Sequence, residues 1–104
     1  MIELTFLNEP EPDVLNEAGS KYLSMTIIYE IKTDLPSDVF YKEVLDIFKD
    51  LTPEESLYVF PLLTRAEGNT WRMSIRYVKL PVEMLEHVGQ TITSGLNNLN
   101  TRTV

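Results

Sequence analysis

Between Lys21 and Lys32 the chain alternates without a break. Leu23, Met25, Ile27, Tyr29 and Ile31 fall on one side, and Tyr22, Ser24, Thr26, Ile28 and Glu30 on the other. A period of two belongs to an extended strand and not to a helix. Thr70 to Leu80 repeats the pattern, with Trp71, Met73, Ile75 and Tyr77 set against Arg72, Ser74 and Arg76. Two strands with one strongly apolar side each need a second layer to cover that side. The rest of the chain has to supply it.

It offers two helices. After Asp34-Leu35-Pro36, Ser37 is placed to cap a helix whose Val39, Phe40, Val44, Ile47, Phe48 and Leu51 share one side. Pro81 opens a second helix, with Leu85, Val88, Ile92, Leu96 and Leu99 at helical spacing. Thr91, Ile92, Thr93 and Gly95 make that helix weak by propensity, so packing has to hold it. Residues 2–7 alternate like a further strand. Thr52-Pro53-Glu54-Glu55 is a capping box with proline at the first helical position. Residues 57–65 suit a short helix or an edge strand, and the reading taken is one turn over 53–56 and then a strand. The order is ββαββα. It predicts a single α+β domain over 1–104, a two-layer sandwich in which a four-stranded, mainly antiparallel sheet carries both helices on one face. Residues 97–104 read as a frayed tail.

Charge is distributed less evenly than hydrophobicity. Sixteen acids against nine bases leave a formal charge of −7. Glu3, Glu9, Glu11, Asp13 and Glu17 all precede Lys21, the first basic residue, so five acids and no bases put −5 of that total in one end. Most of it reads as an acidic, proline-containing loop over residues 8–20. Within that loop, Asp13 to Gly19 has the residues for one helical turn.

Few catalytic parts survive inspection. With no cysteine there is no disulfide, thiolate nucleophile or zinc–sulfur site. His87 is the only histidine, and the Leu85–Val88–Ile92–Leu96 stripe places it on the solvent side of its helix as an ordinary surface residue. Glu9-x-Glu11-x-Asp13 has the alternate acids of a calcium loop, but Val14 stands where the loop needs glycine and Ser20 where it needs glutamate. There is no phosphate-binding glycine loop and no nucleophile elbow. Arg65, Arg72, Arg76 and Lys79 lie near Trp71 and Tyr77, but alternation points the aromatics away from Arg72 and Arg76, and the net charge repels phosphate. The chain is therefore expected to have no catalytic role, no cofactor, no metal and no direct nucleic-acid contact.

What remains is binding. Clustered acids stay together only if solvated or matched by a basic partner. The expected function is a small acidic binding protein that neutralises or regulates a basic protein partner, in the manner of inhibitors, immunity proteins or anti-defence proteins of bacteria and phages. Glu9, Glu11, Asp13 and Glu17 would steer the partner, with Val14 and Leu15 as an apolar anchor. The alternative is a structural subunit of a homo-oligomeric assembly such as a virion or secretion component, touching its copies through Tyr22, Ile28, Leu85, Val88 and Ile92. The start Met1-Ile2-Glu3-Leu4 lacks the features of an export signal, and no apolar run approaches a membrane span. The cytoplasm, its own or a host's, is the expected compartment.

Overall fold

The computed structural model describes residues 2–102, with side chains placed as far as Leu99. Along the chain run β1 (Ile2–Phe6), β2 (Asp13–Glu17), β3 (Ser20–Thr33), α1 (Ser37–Lys49), β4 (Val59–Arg65), β5 (Thr70–Pro81) and α2 (Leu85–Arg102). Short 3-10 turns occupy Glu55–Leu57 and Val82–Met84. The sheet is antiparallel in order β1-β3-β5-β4, with β2 also paired to β3. Both helices lie on one face, so the α+β sandwich and its element order follow from the sequence. The sheet has five strands and not four because the second half of the acidic segment is itself extended.

Alternation sorts the side chains as expected. Trp71, Met73, Ile75 and Tyr77 of β5 and Ile31 of β3 are buried beneath Phe40, Val44, Ile47 and Leu51, and beneath Val88, Ile92, Leu96 and Leu99 of α2. Phe40 packs its ring on Trp71 at 5.1 Å between centroids. Each fully buried large apolar side chain of this kind contributes about 1.5–3 kcal/mol. Val39, read as part of the same helix stripe, is 40% exposed, since it sits at the edge of the buried arc.

Several local details differ from the sequence reading. Ser37 is not a cap: α1 has no side-chain cap hydrogen bond, and the Ser37 hydroxyl accepts from Arg65 Nη1 at 2.6 Å. Pro81 ends β5, so the last helix starts later, at Leu85. That helix does not fray at residue 97. It continues to Arg102 because Leu96 and Leu99 are anchored in the core, while residues 103 and 104 of the expected tail lie outside the described residues. The capping box is as read: the Thr52 N–H donates to Glu55 Oε1 at 2.9 Å, and the Glu55 N–H to Thr52 Oγ1 at 3.1 Å. It starts only one 3-10 turn before the chain enters β4.

One irregularity in β5 has no signal in the sequence. Between the pairs Met25–Tyr77 and Leu23–Leu80, β5 carries one more residue than β3. Lys79 absorbs it with φ +51°, and its N–H donates to Ser24 Oγ at 3.0 Å. Such a bulge reverses the parity of the strand. Leu80 thereby returns to the core side, fully buried, opposite Leu23.

Candidate functional site

The acidic segment is an ordered arm along one edge of β3. β1 pairs with the far half of that edge, Ile2 with Thr33 to Phe6 with Tyr29. β2 pairs with the near half, Asp13 with Ser24 to Glu17 with Ser20. Asn8 fills the interval between them. Its Nδ2 donates to Thr26 O at 2.9 Å and its Oδ1 accepts from the Ile28 N–H at 2.9 Å, while the Leu7 N–H reaches Ile28 O at 2.9 Å. An asparagine side chain carries both a donor and an acceptor, so it stands in for one residue of a strand. Only Glu9-Pro10-Glu11-Pro12 is left outside the strands, with Glu11 beside Thr26 and Arg76 on the open face, and the two prolines limit its freedom.

The hairpin from β2 to β3 closes at Ala18 and Gly19, with φ +50° and +81°. Two successive positive φ values define the tight turn whose twist matches a β-ribbon. The expected helical turn over 13–19 is thus a hairpin: Val14, Leu15 and Asn16 pair more favourably with β3 than with one another. Every residue of β2 is exposed.

Strand geometry also separates residues read as a unit. Val14 lies opposite Leu23, on the helix side of the sheet, and Leu15 opposite Tyr22, on the open side. The adjacent pair therefore does not form one anchor. Asp13, Leu15 and Glu17 share the open side, so Leu15 (40% exposed) sits between two carboxylates with Tyr22 beside it. Val14 is 50% exposed on the reverse. Glu9 and Glu11 ride on the bend and are exposed. The arm presents apolar groups on both faces, framed by acids.

The residues proposed for self-association divide similarly. Val88 and Ile92 are core residues, 0% and 3% exposed, so the helical stripe packs on the sheet and offers no external seam; Leu85 is partly buried against the same core. Tyr22 and Ile28 lie on the open sheet face, partly buried.

His87 is the residue whose role the sequence concealed. Its ring stays largely exposed, but Nδ1 lies 2.6 Å from Glu55 Oε2, and Glu55 is buried. Desolvation pushes the Glu55 carboxyl up, yet the Thr52 N–H, the hydrogen bond and charge of His87 and the Thr52 hydroxyl together outweigh it, holding the group below the usual carboxylate range. The pair ties the turn before β4 to α2. Thirty-two positions separate the partners, so no local pattern signals it. Burial, with Tyr29 alongside, pushes the Tyr77 phenol up to about 12, and burial raises Tyr29 too, so neither serves as a base near neutrality. Arg65 is committed to structure: its guanidinium lies 5.8 Å from the Trp71 ring centroid and donates to Ser37 Oγ and Gly68 O.

Comparison with protein-family models, curated proteins and solved structures finds no match to the chain. Among the described residues no helix is long and apolar enough to cross a membrane.

Proposed function

We propose that this protein is a small, non-catalytic acidic binding protein of the cytoplasm that neutralises or regulates a basic protein partner, and that it grips that partner with the β2–β3 arm. One observation carries the reading. Asp13 and Glu17 sit on an exposed hairpin held in register, where a disordered loop would have to be ordered at an entropic cost when it bound. Asp13 and Glu17 flank Leu15 on one side of the ribbon, Val14 occupies the other, and Glu9 and Glu11 extend the negative field from the bend. Such a surface gains association rate by steering, and its affinity falls with salt. Inhibitors that occlude a basic cleft, including one built for nucleic acid, use this kind of complementarity.

The test replaces Glu9, Glu11 and Glu17 with Gln and Asp13 with Asn, then compares variant and wild type in pull-downs from the native host's lysate at low and high salt. The expected result is one stoichiometric basic protein, captured by wild type at low salt and lost at high salt and in the variant. Capture that is indifferent to the four substitutions would reject the arm as the binding site. Circular dichroism should show the variant folded, since no substituted side chain is buried.

A further inference from the structure

We infer that the open face of the sheet, the side away from the helices, is a contact surface between two copies of this chain, packed face to face about a twofold axis that runs along the strands between β3 and β5. The inference is independent of the arm reading and rests on different side chains. Phe60 and Leu62 of β4 are 50% and 62% exposed on that face. They lie in register with Arg76 and Ser74 of β5, which in turn face Thr26 and Ile28 of β3. An apolar strip at the margin of a sheet, with Ile28 across Ser74 from it, is surface that water disfavours.

Charge identifies what covers it. The half of the face built from β4 and β5 carries Arg72 and Arg76, and neither has an ion-pair partner among the described residues. The half built from β3 and β1 carries Glu30 and Glu3, also without one, and Lys32 opposite Glu3, so its net charge is −1 against +2 across the midline. Arg72 and Glu30 are direct cross-strand neighbours in the register, so they stand at the same height on either side of the midline. A twofold axis along that midline exchanges the halves. It lays Arg72 of one copy over Glu30 of the other, twice, and brings each Phe60–Leu62 strip over the opposite half of the second copy. A face whose two halves carry opposite charge is self-complementary under this operation, which is the requirement for an isologous dimer. Pro61 has no N–H, which blunts the outer edge of β4 and favours contact through the face over strand addition at the edge.

Two molecules of charge −7 repel at long range, so dimerisation should strengthen as salt rises from very low values to about 0.15 M, the opposite of the arm's dependence. The experiment is sedimentation velocity over a range of concentrations, with wild type, Arg72→Glu and Glu30→Arg. Wild type is expected to dimerise, and each single variant to remain monomeric because like charges then meet twice. An equimolar mixture of the two variants is expected to dimerise again, since each altered residue then meets its complement in the other chain. An effect confined within one chain gives no such restoration on mixing. Leu62→Ser, at an exposed position where truncation opens no cavity, is expected to weaken the dimer about tenfold or more, and it serves as the probe if a charge variant fails to fold. The arm reading is scored by capture of a basic protein and this inference by self-association, so the failure of one and the failure of the other are seen separately. A wild-type protein that is monomeric at every concentration overturns the inference, as does a dimer that neither charge reversal nor Leu62→Ser disturbs.

Discussion

The Glu55 carboxylate completes the capping box with one oxygen and holds His87 with the other. Its folded-state pKa lies below the ordinary value, so the stability it contributes is complete above the unfolded carboxyl's value of about 4.3 and is lost as pH falls through the lower, folded value. The stability difference between wild type and Glu55→Gln should therefore shrink as pH falls below about 4.5. Urea titrations across that range measure it. Glu55→Ala also removes the acceptor for the Thr52 N–H, with an expected loss of about 0.5–2 kcal/mol at neutral pH. Ala18 is a second residue whose backbone matters more than its side chain. At φ +50° an alanine is strained by roughly 1 kcal/mol, and asparagine or glycine would relieve that strain. Ala18→Gly is expected to leave the core untouched and slow amide hydrogen exchange in residues 13–24, the two limbs of the hairpin. Unchanged or faster exchange there would argue against the left-handed turn.

Among the elements, α2 best shows packing prevailing over propensity. Its glycine and β-branched residues make it a poor helix in isolation, yet it runs from Leu85 to Arg102. Gly95 explains part of this composition. A Cβ added there would lie 2.6 Å from Cγ2 and 3.1 Å from Cβ of Ile47, so glycine is what permits α1 and α2 to approach so closely. Gly95→Ala should gain helix propensity and still lose about 1–3 kcal/mol net, because Ile47 is branched, buried and has little room to yield. Denaturant unfolding tests this directly, and a stabilised variant would mean that the two helices separate freely. Asn8 shows the same dependence on context in a strand. Nothing in Leu7-Asn8-Glu9 announces that an amide will bridge a gap between two strands on one edge.

At the scale of the molecule, the arm gives the protein its shape. β3 has 14 residues, and at about 3.3 Å each it spans some 46 Å. That matches the longest dimension, 47 Å, against 24 and 18 Å in the other two. The radius of gyration, 14.4 Å, exceeds the roughly 13 Å of a compact chain of this length. Elongation moves the acids of β2 away from the layered body, while the arginines of β5 stay on the sheet face. The two associations proposed therefore rest on different side chains and respond to salt with opposite signs: steering at the arm is screened, and repulsion between copies is screened too.

Residue periodicity by itself determined the long strands, the inward set from Trp71 to Tyr77, the amphipathic stripe of α1 and hence the two-layer α+β arrangement. These depend on which side of a local element is apolar, a property of near neighbours in sequence. The capping box was legible for the same reason. The arm, the bulge at Lys79 and the Glu55–His87 pair were decided only when distant segments met. β2 is extended because β3 offers it an edge. Lys79 takes a left-handed conformation because Leu80 must reach the core opposite Leu23. Val14 and Leu15, adjacent in sequence, part company because pairing sends neighbouring side chains to opposite faces. Charge could be counted along the chain, but its division between arm and sheet face exists only in the folded molecule, where strand register fixes which charges stand together.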